Sequence, residues 1–226
     1  MRKIIMNGVI TFAVTLLAPQ ILQAQGTMTY LSNLGQASGG SLAVGSDSWL
    51  AVGVLTGPNA GGYVLDSIQL GMTDASGNPN GFTVMLYSET DIVAVVPGSN
   101  LGTLNGSLNP TTAGIYTYTP ASSLTLSPST GYFIVLTAGT TVANGAYEWS
   151  YVNTSSYNPS DSWLGRVALG SSNGSVDSWG PLGDYPPGSF SQYAINATAV
   201  PEPGVFGLLG LGGLLLAWHR RKATAV

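Results

Sequence analysis

The 226-residue chain contains no cysteine and a single histidine, His219, close to its C-terminus. Without thiols there can be no disulfides, zinc–thiolate centres, iron–sulfur clusters or cysteine nucleophiles. With no histidine upstream of position 219, most of the chain has no side chain that titrates near neutral pH without a large pKa shift. Charge is scarce as well: only 7% of residues are Asp, Glu, Lys or Arg, against roughly 25% in an average soluble domain. The six cations are Arg2, Lys3, Arg166, Arg220, Arg221 and Lys222, so five sit at the two ends. Between Gln25 and Val200 one arginine faces nine acids, a net charge of −8. A nucleic-acid binder needs a basic face to neutralise phosphates, and nothing here supplies one.

What is present divides into three parts. Met1 to Ala24 has a basic start, an apolar run from Val9 to Leu17, a helix-breaking Pro19 and a small residue, Ala24, at the end. That order predicts a signal peptide cleaved after Ala24. Residues 25–199 predict the folded domain. The last 27, 200–226, hold an exposed Pro201-Glu202-Pro203, an apolar segment 205–218 and a basic stop, Arg220-Arg221-Lys222. As a helix, 205–218 would be about 21 Å long, short of the roughly 30 Å hydrocarbon core of a bilayer. It is therefore expected as a short C-terminal transmembrane helix that is later removed, with its basic end on the cytoplasmic side.

The middle region is dense in Gly, Ser, Thr and Asn, with short apolar runs between turn residues, the texture of an all-β fold. Trp49–Leu55, Tyr63–Met72, Phe82–Tyr87, Leu101–Leu104, Ile115–Thr119, Leu124–Leu126, Tyr132–Thr137, Ala146–Val152 and Gln192–Ala197 read as strands. In the second of these, alternation places Val64, Ile68 and Leu70 on one face and Leu65, Ser67 and Gln69 on the other. Tyr132–Thr137 is apolar on both faces and is expected at the centre of a sheet. The prediction is a single antiparallel β-sandwich, jelly-roll-like or immunoglobulin-like, with no helix of its own.

Few residues offer chemistry. Gly170-Ser171-Ser172-Asn173-Gly174 fits a nucleophile pattern, but that chemistry needs a strand–turn–helix elbow and a histidine base, so a loop is expected. Glu148 beside Trp149, Asp161-Ser162-Trp163 and Asp177-Ser178-Trp179 pair acids with tryptophans, and Glu89 and Asp91 flank a loop. Two carboxylates could in principle hydrolyse a glycosidic bond; solvated acids beside core tryptophans are the plainer reading. Sugar contact without catalysis asks only for an exposed ring and hydrogen-bonding neighbours. Trp149, Trp163 and Trp179 are the candidate glycan platforms, with Tyr157 and Tyr185 nearby. No metal-binding loop pattern occurs and no cofactor is expected. A structural calcium ion is the one option, with oxygens from Asp161, Asp177 and Asp184.

Two resemblances follow from these residues. Pro201-Glu202-Pro203, the apolar segment and the basic stop together resemble the PEP-CTERM sorting signal of Gram-negative bacteria. This implies export across the inner membrane, transient membrane association, and processing by an exosortase, a membrane-embedded transpeptidase-like enzyme. Segments such as Phe82-Thr83-Val84-Met85-Leu86-Tyr87-Ser88 and Leu126-Ser127-Pro128-Ser129-Thr130-Gly131-Tyr132 resemble the choice-of-anchor R domains of bacterial surfaces, over about Leu50 to Ala197. That implies a β-rich extracellular module without catalytic residues. The function expected from the sequence is a non-catalytic surface or matrix protein whose partners are the secretion machinery, an exosortase, and envelope or exopolysaccharide components. A carbohydrate-binding module is the alternative, and a polysaccharide hydrolase a weaker third.

Overall fold

The computed structural model describes residues 26–90, 95–153, 157–174, 178–182, 189–202 and 213. The folded body, Gly26–Val200, is one compact unit; residues 1–25 and 201–226 fall outside it. The expected signal peptide and its end at Ala24, Pro203, segment 205–218 apart from Gly213, and the basic stop Arg220, Arg221 and Lys222 lie outside the described residues.

Among the described residues of the body there are fifteen strands, all paired antiparallel. The first five are β1 (Met28–Ser32), β2 (Gly40–Val44), β3 (Trp49–Leu55), the 15-residue β4 (Tyr63–Gly77) and β5 (Thr83–Glu89). Then come β6 (Pro97–Asn105), β7 (Gly114–Pro120), β8 (Thr125–Leu126), β9 (Gly131–Thr137) and β10 (Gly145–Val152). The chain closes with β11 (Asn158–Pro159), β12 (Leu164–Ser171), β13 (Gly180–Pro181), β14 (Phe190–Ser191) and β15 (Tyr193–Ala199). Hydrogen bonding runs β11-β1-β15-β4-β7-β6-β5-β9-β3-β12-β13, and β10 joins the far end of β4 to β2 and β14. The sandwich expected from the sequence is thus one continuous sheet curled on itself. Its fold line is the thin seam between β6 and β7, where only Leu104↔Pro120 and Asn105↔Thr119 pair.

The curl brings two faces together over one main core. Val84 and Leu86 of β5, Ile134 and Leu136 of β9 and Val52 and Val54 of β3 meet Tyr63, Ile68 and Leu70 of β4 and Ile195 of β15. Each of these side chains is buried, and full burial of one such group stabilises by about 1.5–3 kcal/mol. As the sequence predicts, β9 lies centrally, hydrogen-bonded between β3 and β5. Its other face, Phe133 and Val135, joins a second cluster with Ala51, Met85 and Leu169.

In β4 the alternation read from the sequence holds for Ile68 and Leu70 but reverses upstream. Tyr63 and Leu65 are buried and Val64 is half-buried, the opposite of the expected placement of Val64 and Leu65. The register against β15 explains it: Asn196 faces Ser67 but Ala197 faces Leu65, which leaves Asp66 as an extra residue. This is a β-bulge, and one inserted residue exchanges the two faces of everything beyond it. The Asp66 carboxylate turns outward and accepts a hydrogen bond from Thr198 Oγ1 at 2.8 Å.

Candidate functional site: the sorting junction and the outer cleft

Strand β15 is held on both sides, by β1 and by β4. The residue after it, Val200, is held by a tight turn. Gly62 N donates to Asn59 O at 2.8 Å, closing Asn59–Gly62, and Val200 N donates to Gly62 O at 3.0 Å. Asn59 Nδ2 donates to Val200 O at 3.0 Å and to Gly62 O at 2.6 Å. Both backbone hydrogen-bonding groups of Val200 are therefore occupied. The approach is close enough to require glycine: a Cβ on Gly61 would stand 2.4 Å from Val200 O, and Gly62 has φ +74°.

The turn is itself anchored. Asn59 N donates to the Tyr63 hydroxyl at 3.2 Å, and that hydroxyl donates to Asp161 Oδ2 in a very short hydrogen bond. Burial first, and the bond to the Asp161 carboxylate second, push the Tyr63 phenol up to about 12. Asp161 and Ser162 both have left-handed backbones, φ 50° and 58°, and Trp163 N closes their turn on Ser160 O at 3.1 Å. Positive φ at both central positions is the type I′ signature. Immediately beyond Val200, Pro201 and Glu202 are exposed.

With this junction in place, the relatives of the chain can be stated. A family model described as the PEP-CTERM protein-sorting motif matches residues 199–222. The tail is similar to PEP-CTERM sorting motifs. Such a motif implies an exported chain processed at the membrane by an exosortase. The matched residues begin at Ala199, the last residue of β15. No curated protein matches the chain. Among solved structures, the clostridial cysteine protease Cwp84 after propeptide cleavage is similar at a TM-score of 0.49 and 13% identity. That similarity covers 76% of this chain and 40% of the protease, so the chain spans about two-fifths of that protein's length.

The residues proposed for sugar contact fare differently. Trp149 is 1% exposed and Trp163 0%, and both are corrected here from platforms to core residues. Trp149 lies on β10, and its Nε1 donates to Gln192 O at 2.9 Å. Trp163 stacks on Tyr30, centroids 5.2 Å apart, and meets Tyr63 edge-on. An acid two residues before a tryptophan on a strand shares its face, but here a turn intervenes and sends Asp161 outward while Trp163 points in. Trp179 is half-buried against the second cluster. Tyr157 packs on Phe190 and Tyr193. Tyr185, Asp91, Asp177 and Asp184 lie outside the described residues. The structure does not bring the three tryptophans into one site.

The acids are likewise engaged. Glu148 accepts from Ser41 Oγ at 2.8 Å and from Ser76 Oγ at 3.3 Å, spanning three strands. Ser171, within the glycine–serine pattern, ends β12 as an ordinary turn former, its Oγ accepting from Gly174 N at 2.8 Å. No group of three or more His, Asp or Glu that could hold a metal occurs among the described residues.

One arrangement was not visible in the sequence. Arg166 Nη1 donates to both Glu89 oxygens at 2.7 and 2.6 Å, with the carboxylate side chain only 6% exposed. The pair crosses from β12 to β5 over Gly131 of β9, where a Cβ would collide with the carboxylate. The only advance sign was that Arg166 is the one cation of the body. Beside the pair lies an open cleft of about 430 Å³, lined by Ser88, Glu89, Leu101, Ser122, Leu124 and Thr130. It offers hydroxyls and one spoken-for carboxylate, with no base to activate them.

Proposed function

We propose that this protein is an exported surface or extracellular-matrix component of a Gram-negative bacterium, with a non-catalytic β body that serves a structural or interaction role and a tail that an exosortase processes. The observation that carries this reading is the PEP-CTERM motif at residues 199–222, set directly after a strand that ends the folded body and opening on exposed Pro201 and Glu202. The resemblance of Leu50 to Ala197 to choice-of-anchor R domains supports the same role. A net charge of −8 without lysine keeps the body soluble and weakly attracted to anionic polymers.

The test is fractionation of the native host. Glu202→Ala, or removal of Arg220 to Lys222, is expected to retain the protein in the inner membrane with its tail uncut. Normal surface delivery of both variants would overturn the sorting role. Glycan binding is the weaker reading, since Trp149 and Trp163 are sealed in the core; it now rests on Trp179 and the cleft beside Glu89.

A further inference from the structure

We propose that the turn Asn59–Gly62 is a clamp that sets the upstream limit of tail processing, a positioning role that rests on the exosortase reading above. An enzyme that opens a peptide bond needs the substrate in extended form, with the scissile carbonyl oxygen turned into its own hydrogen-bond donors. A nucleophile then adds to the carbonyl carbon and the downstream amine departs with a proton; in hydrolysis, water supplies both the hydroxyl and that proton. The carbonyl of Val200 is not open to this. Its oxygen is taken by Asn59 Nδ2 and its N–H by Gly62 O.

Upstream residues are shielded more firmly, because β15 is an interior strand paired on both edges. Downstream, Pro201 and Glu202 are exposed. The first carbonyl available for attack is therefore that of Pro201, and the clamp converts a sequence motif into a defined boundary. The device is specific in its parts. Asn59 contributes a side-chain amide that reaches two carbonyls, Gly61 makes room for Val200, and Gly62 supplies a left-handed backbone. Tyr63 and Asp161 hold the turn from behind.

The experiment uses the purified full-length chain, a broad-specificity protease and intact-mass measurement of the trimmed C-terminus. The wild-type product should keep Pro201, because a cut at the Val200 carbonyl would leave Val200 as the last residue. Asn59→Ala, which removes the reaching amide, and Gly61→Ala, which pushes Val200 off the turn, should each shift the terminus upstream by one residue or more. Ile134→Val, in the core and remote from the junction, should lower thermal stability without moving the terminus. An unchanged terminus in both clamp variants, or an equal shift in Ile134→Val, overturns the clamp. If either clamp variant does not fold, amide exchange in the wild type decides: Val200 must be protected like Ile195, and fast exchange at Val200 refutes the proposal. In the native host, a mature terminus at Val200 or earlier would refute it too. Absence of any tail processing there would instead refute the sorting reading, leaving the protease result to judge the clamp.

Discussion

Glu89 and Arg166 are 77 positions apart in the chain, yet their bond is the only ion pair among the described residues. With the carboxylate almost wholly buried, loss of either partner strands a charge that has already given up its water. Arg166→Ala is expected to cost about 3 kcal/mol in chemical denaturation. The double change Arg166→Met with Glu89→Leu should recover most of that loss, since burying an apolar pair is often no worse than burying an ionic one. Equal destabilisation in the single and double variants would show that the charge is not what matters. The same scale shows what sequence can and cannot disclose. Composition marked Arg166 as the lone cation of the body, but its partner could be any of nine acids. Trp149 and Trp163 illustrate the converse. A tryptophan beside an acid reads equally as an exposed platform or as a core ring, and only the turn at Asp161-Ser162 and the pairing of β10 decide in favour of the core.

At the level of strands, periodicity did most of the work. The run Tyr132–Thr137 announced its central position by being apolar on both faces, and β9 sits there. Six strands escaped notice: β11, β13 and β14 are two residues long, too short for a period to show, and β1, β2 and β12 have few fully buried positions, so they lack the contrast that makes alternation legible. The bulge in β4 escaped for another reason. An extra residue in a strand has no signature in hydropathy, because Asp66 is polar and outward in either register. Its structural effect is large all the same. Insertion of a second extra residue, an alanine between Asp66 and Ser67, would exchange the faces again and turn Tyr63 and Leu65 out of the core, forfeiting about 4 kcal/mol of burial. Urea denaturation should show that loss, whereas deletion of Asp66, which leaves Tyr63 and Leu65 facing inward in plain alternation, should cost far less. Similar midpoints for the two variants would exclude the bulge as the cause.

Across the whole body the titrating groups that matter are phenols. Burial raises Tyr30, Tyr63, Tyr118 and Tyr147 above their ordinary value of 10.0, Tyr63 to about 12. A phenol whose pKa is higher in the folded state holds its proton more tightly there. The resulting stability is fully present below about pH 10 and fades as pH rises through the folded value. The melting temperature should accordingly be flat up to about pH 10 and then drop steeply toward pH 12. Tyr63→Phe should make the drop shallower, because one of the groups resisting ionisation is gone. A melting temperature that declines steadily from pH 8 would contradict this account. The strand content and the sandwich-like layering of this body were readable from texture alone; the single curled sheet was not, since which strands pair across the seam of β6 and β7 depends on contacts far apart in the chain.

The locked arginine has a practical corollary for finding this protein. Between Gln25 and Val200 there is no lysine, and Arg166 is the one site at which trypsin could cut. That site lies within a strand and has its guanidinium bound to a buried carboxylate, whereas proteases act on chain that can leave its fold. A native body should pass through trypsin whole, and even a denatured one would yield pieces too large for routine peptide detection. Surveys of secreted proteins built on tryptic peptides or on amine-reactive labels will therefore undercount it, and digestion at acidic residues or at aromatics is the way to see it.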